Sequence, residues 1–219
     1  MPTLRQIRLV GKPVVFTAAL LPLLGLLAGV AGAPAFRLGA NPVETIQDTT
    51  GIWALRLLLV TLCMTPLRWL TGQAWPLQFR RMLGLFAFTY AAIHFSNYLL
   101  LDRALDLREI TGDLTKRPYI LVGFTALLLL TALAVTSTAG WRRRLARRWQ
   151  TLHRAIYPAA MLVCWHFWWQ VKKDITEPLV YCMILVALLG YRAWRAQRPV
   201  QAQRNWPASA PAHGPDQRL

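Results

Sequence analysis

The chain has 219 residues, 55% of them hydrophobic, and a formal net charge of +16. In a soluble protein such a charge would point to nucleic acid. Here long uncharged apolar runs alternate with short Arg-rich segments, so no nucleic-acid partner is expected and the lipid bilayer is the expected surrounding.

A helix needs roughly 20 apolar residues to cross the hydrocarbon core. The first such run, Val14–Phe36, carries no charge; Arg5, Arg8 and Lys12 precede it and Ala31-Gly32-Ala33 ends it, like a secretory signal peptide. A signal core usually runs only about 7–15 residues, so a retained helix is the expectation and cleavage the alternative. Ile52–Leu70 follows, with Arg56 and Arg68 near its ends, and then Met82–Leu101 and Pro118–Trp141. Ala155–Val171 is shorter, and Pro178–Tyr191 extends to Trp194 if Arg192 and Arg195 snorkel. The predicted fold is all-α: a polytopic membrane bundle of six transmembrane helices over residues 1–196. A cytoplasmic tail, 197–219, rich in Pro, Ala, Gln and Arg, is expected to be disordered.

Orientation follows from Lys and Arg placement. Seventeen lie before the first span, between the second and third, between the fourth and fifth, and after the sixth, against seven on the other side. Both termini are therefore predicted to be cytoplasmic. The cysteines, Cys63, Cys164 and Cys182, lie in apolar runs without CxxC or CxxCH spacing. Neither a zinc cluster nor covalent c-type haem is supported, and they read as small buried hydrophobes. Trp141, Trp149, Trp165, Trp168 and Trp169 read as interfacial anchors.

Three of the four histidines, His94, His153 and His166, lie in or at the edge of spans, whereas His213 lies in the tail. An ionisable residue inside a span is a functional candidate by default, and imidazole is a haem ligand. His94 lies 13 residues beyond Arg81 and His166 lies 12 beyond Arg154, on two spans running outward from the cytoplasm. Both thus sit about 18–20 Å from the basic edge, where they could clamp one haem from its two faces. His153 is 13 residues before His166 and falls near the cytoplasmic edge. On a straight helix the two would face about 140° apart. At that level the third span offers Arg80 and Arg81, cations suited to a haem propionate, a flavin phosphate or a lipid phosphate. Residue pattern alone leaves three uses of the histidines open: haem ligation, a structural or proton-relay role, and binding of another metal.

Over Asn41 to Tyr191 the chain resembles the MsrQ (formerly YedZ) family, haem-binding membrane subunits of the periplasmic protein-methionine-sulfoxide reductase system within the ferric-reductase-like transmembrane group. The stretches that carry the resemblance are TPLR (Thr65–Arg68), RRMLGLFAFTYAAIH (Arg80–His94), TKRPYI (Thr115–Ile120) and TSTAGWRRRLARRWQTLHRAIYP (Thr136–Pro158), leading to His166. The resemblance implies b-type haem, one or two, with His94, His153 and His166 as ligands, and an associated FMN for which the sequence holds no motif. Relatives in the wider group carry two histidines on each ligand helix, whereas Arg80 stands here where the second one of the third helix is expected. The implied role is in the bacterial inner membrane. Electrons come from the quinone pool or a cytoplasmic flavin reductase and go to a periplasmic molybdenum-containing subunit that reduces methionine sulfoxide in envelope proteins. No substrate-converting residues are evident, so the chain is expected to be an electron-transfer subunit rather than the catalytic reductase. Two rivals stand beside this: a stand-alone membrane ferric or quinone reductase, and a non-redox transporter with proton-relay histidines.

Overall fold

All regular structure among the described residues, 4–172 and 174–197 of this computed structural model, is helical. The expected disordered tail beyond Gln197, including His213, lies outside them. In chain order the helices are α1 (Ile7–Val30), α2 (Pro42–Thr71), α3 (Arg80–Asp102), α4 (Leu107–Lys116), α5 (Pro118–Val135), α6 (Ala139–Leu145), α7 (Arg147–His153), α8 (Ile156–Gln170) and α9 (Thr176–Gln197).

Five of these, α1, α2, α3, α5 and α9, are long and apolar enough to cross a membrane. The expected fifth of six spans, α8, has only 15 residues. Its shortness has a local cause. At Arg154 and Ala155 the backbone N–H groups bond only three residues back, to Thr151 and Leu152. Pro158 then occupies the first turn of α8, where a missing N–H costs nothing. His153 and His166 are therefore on two helices, and the angle expected from one straight helix does not apply.

Helix ends also differ from the hydropathy boundaries. The second helix starts at Pro42 rather than Ile52, because Asn41 caps it by accepting from the Glu44 N–H at 3.3 Å and donating to the Glu44 carboxylate at 3.1 Å. It stops at Gly72, which takes the left-handed backbone (φ 67°) that glycine adopts without strain. The first helix ends at Val30, six residues before the end of its apolar run.

Two antiparallel pairs dominate the packing, α2 with α3 and α5 with α8, and α3 joins them by touching α5. Leu55, Leu58, Leu62 and Tyr90 are fully buried between helices, and Ala87, Ala159 and Ala160 let backbones approach closely. Cys164 is buried, and Cys63 and Cys182 are half-buried; all three are free. Outward-facing leucines and valines such as Leu21, Leu128 and Val186 are exposed on the spans, as lipid contact requires.

Where a span's backbone is irregular, a side chain from a neighbour completes it. Pro66 inside α2 has no N–H for the Leu62 carbonyl, and Arg192 of α9 donates to that oxygen and, at 3.0 Å, to the Tyr157 hydroxyl. Arg192 thus turns inward instead of snorkelling. In α1, the buried Tyr90 hydroxyl donates to the Ala19 carbonyl at 2.9 Å and accepts from the Leu23 N–H at 3.0 Å, one turn apart beside Pro22. At the other end of the bundle, buried Asp113 of α4 accepts from Arg103 (2.6 Å) and Tyr98 (3.1 Å) and pairs with Arg117 (3.4 Å).

Replacing Tyr90 with Phe removes both bonds to α1 and is expected to cost about 1–2 kcal/mol in detergent, read as a lower midpoint of thermal unfolding.

Candidate functional site

Two histidines meet between the two helix pairs. His94 of α3 and His166 of α8 have ring centres 6.2 Å apart and ring planes at 85°. They line one cavity of about 660 Å³, together with Gly51, Gly123, Phe95 and Phe124.

Each ring is oriented in the same way. His94 Nδ1 lies 2.9 Å from the Gln47 carbonyl of α2, and His166 Nδ1 lies 2.7 Å from the Tyr119 carbonyl of α5. A carbonyl only accepts, so each Nδ1 carries the proton and each Nε2 keeps its lone pair. Four residues beyond each carbonyl is a glycine. A Cβ on Gly51 would come within 2.9 Å of the His94 ring, and one on Gly123 within 2.8 Å of the His166 ring. Only a bare backbone lets the imidazole lie flat enough on the neighbouring helix to reach its carbonyl. The α2–α3 and α5–α8 pairs therefore repeat one device.

The His94 side has a further layer. Asn97 Nδ2 donates to Gln47 Oε1 at 2.6 Å, and Gln47 Nε2 lies 3.3 Å from His94 Nε2. Gln47 donates there, in keeping with the lone pair on Nε2. None of Gly51, Gly123, Gln47 and Asn97 stood out in the sequence. The usable signal was the glycine inside an apolar helix, which is unfavourable unless close approach requires it.

His153 is not part of this pair. It stacks on Trp149 with ring centres 3.9 Å apart, and its Nε2 is 3.2 Å from the Thr136 hydroxyl. Trp149 Nε1 also donates to the Thr136 carbonyl at 2.9 Å, which holds this half-buried ring in place under His153. Burial pushes the His153 pKa below the ordinary histidine value; the Thr136 bond opposes this and the nearby Arg80 charge reinforces it. His153 is thus a neutral ring at pH 7. Arg80 is half-buried beside it, whereas Arg81 is exposed. Among the described residues no group of three or more His, Cys, Asp or Glu could hold a bare metal ion. An ion at the His94–His166 pair would need further ligands of its own.

The family described as "Ferric reductase like transmembrane component" matches residues 50–164 of the chain. A protein of Xanthomonas axonopodis pv. citri (strain 306) named protein-methionine-sulfoxide reductase heme-binding subunit MsrQ is 55% identical over 175 residues, covering 79% of this chain and 80% of its own length. A protein of the same name from Xanthomonas campestris pv. campestris (strain 8004) is 58% identical over 158 residues, 72% of each chain. Another, from Bordetella pertussis (strain Tohama I), is 46% identical over 196 residues, 85% of this chain and 91% of its own. No solved structure matches at a significant level.

Gly51→Ala and Gly123→Ala are each expected to destabilise the bundle by about 1–3 kcal/mol through overpacking against an imidazole. Gly190→Ala, where an added Cβ meets nothing within 4 Å, is expected to be neutral or slightly stabilising; thermal unfolding in detergent separates the two classes.

Proposed function

The chain belongs to the MsrQ haem-binding subunits of the ferric-reductase-like transmembrane family, and on that footing we propose that it is the haem b electron-transfer subunit of a periplasmic methionine sulfoxide reductase in the bacterial inner membrane. Its donor is the quinone pool or a cytoplasmic flavin reductase, and its acceptor a periplasmic molybdenum-containing catalytic subunit that repairs oxidised envelope proteins.

The observation that supports this most is the His94–His166 pair. With metal–imidazole bonds of about 2 Å, two rings sharing one iron hold their centres roughly 6–6.5 Å apart; the separation here is 6.2 Å. Both Nδ1 atoms are engaged, so both lone pairs are on Nε2, the nitrogen suited to bind iron; iron ligation by His94 would replace the bond its Nε2 accepts from Gln47. A porphyrin would supply the in-plane nitrogens that the protein lacks, and the cavity volume is within the range of cofactor pockets. When bound, haem b supplies a one-electron carrier whose potential is set by its axial ligands and burial. His94 and His166 would be those ligands. The Gln47 and Tyr119 carbonyls keep both rings in the ligand tautomer, and Phe95 and Phe124 help exclude water.

In this reading α8, about 22 Å long, crosses as the sixth span against α5, and both termini are cytoplasmic. His153, with Arg80 and Arg81, then belongs to the cytoplasmic side. There the ring could ligate a second haem, and the cations suit a propionate or the phosphate of an FMN. The partner would dock on the outer loops, 102–117 and 172–177.

The purified full chain is expected to be red, with a b-type spectrum. His94→Ala or His166→Ala should remove most of that signal, while His153→Ala should spare it and lower only the content of a chain that carries two haems. Unchanged spectra in both His94→Ala and His166→Ala would overturn the clamp, and a colourless, iron-free preparation would favour a proton-relay transporter. Deleting the chain should abolish membrane-dependent reduction of methionine sulfoxide by the periplasmic subunit. Normal reduction in the deletion strain would overturn the electron-transfer role.

A further inference from the structure

The two clamp histidines differ at the nitrogen suited to bind iron. Among the described residues His166 has one hydrogen-bond partner, the Tyr119 carbonyl at Nδ1. His94 is bonded at both nitrogens, and both bonds belong to Gln47. The backbone carbonyl of Gln47 lies 2.9 Å from Nδ1, and its side-chain Nε2 lies 3.3 Å from the ring Nε2. One residue of α2 thus holds the whole edge of the imidazole.

The direction of every bond in this group is settled. A carbonyl takes the Nδ1 proton of His94, so its Nε2 must accept, and Gln47 must present its NH2 group there. Gln47 Oε1 then accepts from Asn97 Nδ2 at 2.6 Å, one turn beyond His94 on α3. The second N–H of that amide goes to the Val43 carbonyl at 3.2 Å. Turning the Asn97 amide over would set its oxygen against two acceptors. Asn97 Oδ1 is therefore the loose end. Asn97 is only 5% exposed, and nothing among the described residues donates to this oxygen. A buried amide oxygen ordinarily has a donor.

Iron ligation by His94 creates the opposite imbalance. It takes the lone pair to which Gln47 Nε2 donates, and a buried N–H left without an acceptor is costly. The backbone of Gln47 cannot follow, because its carbonyl still holds His94 Nδ1. Its side-chain amide can rotate, and the acceptor it then lacks is on the same amide that already holds its oxygen. Two primary amides can satisfy one another in this way, each giving one N–H and one oxygen.

We propose that Gln47 and Asn97 form a latch on His94: the Gln47 amide occupies the ring Nε2, and on haem ligation it turns to donate to Asn97 Oδ1. The proposal rests on the clamp reading above. One hydrogen bond is exchanged for another, so arrival of the iron strands neither amide. Until then the ring is held in the ligand tautomer with its lone pair covered. Gln47 and Asn97 are positioning residues of the His94 side, and the His166 side has no such pair among the described residues.

The test is haem affinity, measured by titrating haem into the full chain, stripped of pigment and held in detergent. The unaltered chain, both single variants and the double variant are compared. Asn97→Leu keeps the size of the side chain but removes the acceptor, and should weaken haem binding about tenfold. Gln47→Leu removes the amide that needs that acceptor, and should stay within about threefold of the unaltered chain. Adding Asn97→Leu to Gln47→Leu should then weaken binding no further. Residues that merely support the fold would give the same loss on Asn97→Leu in both backgrounds. That result, or normal haem binding by Asn97→Leu alone, would overturn the latch. A second arm needs no haem and only one variant. In the haem-free chain, nitrogen NMR should show the His94 Nε2 resonance shift on Gln47→Leu while that of His166 stays in place; an unmoved His94 signal sinks the proposal. Failure of the clamp reading is seen separately, as spectra that survive both His94→Ala and His166→Ala.

Discussion

The site depends on one constraint: an imidazole N–H inside a membrane must find an acceptor within the protein, because lipid offers none. Helical carbonyls are already bonded along their own helix and are screened by side chains. A glycine one turn ahead removes that screen, and the ring can lie over the bare backbone and share the carbonyl. Gly51 provides this for His94 at Gln47, and Gly123 for His166 at Tyr119. The consequence is more than stability. With Nδ1 committed, Nε2 of each ring carries the lone pair, and the two helix pairs place these rings 6.2 Å apart. The capacity to grip a metal belongs to the helix pairs as units; a histidine on either helix without its glycine partner would be turned or displaced.

The same need for internal hydrogen bonds explains how the remaining spans are tied to these pairs. The ladder is interrupted at Pro66 of α2 and beside Pro22 of α1; Arg192 meets the carbonyl that Pro66 leaves unpaired, and Tyr90 bonds both the Ala19 carbonyl and the Leu23 N–H. These irregularities act as attachment points, because a freed carbonyl in lipid selects one partner strongly. α9 is fastened to α2 twice, by Arg192 at the Leu62 carbonyl near its end and by the side-chain bond between Tyr181 and Arg56 near its start. Its outer face is left to lipid, as exposed Val186 and Met183 indicate.

The two ends of the bundle differ in chemistry. One end is knotted by carboxylates: Asp113 gathers Arg103, Tyr98 and Arg117 and fixes α4 across the ends of α3 and α5. The other end is basic, with Arg80 beside the stacked His153–Trp149 pair. A neutral histidine held by a threonine near an arginine suits a site for an anionic group, whereas the His94–His166 pair suits a metal held from two sides.

Much of the architecture was legible in the chain itself. Alternation of apolar runs with arginine-rich segments determined a helical membrane protein, because burial of backbone in lipid permits little else. The equal distances of His94 and His166 from their basic edges determined a common depth, since helix rise is constant. Hydropathy could not show that Asn41 starts α2 ten residues early, that Arg154 and Ala155 break the helix between His153 and His166, or that α8 is only 15 residues long. Those depend on capping and on a proline's position within a turn, to which an apolar average is blind. Nor could it single out Gly51, Gly123 or Arg56, which acquire meaning only from what stands opposite them. Depth along one helix is a local property written in residue spacing; facing, ring orientation and the company of a buried charge are decided between helices, and only their packing determined them.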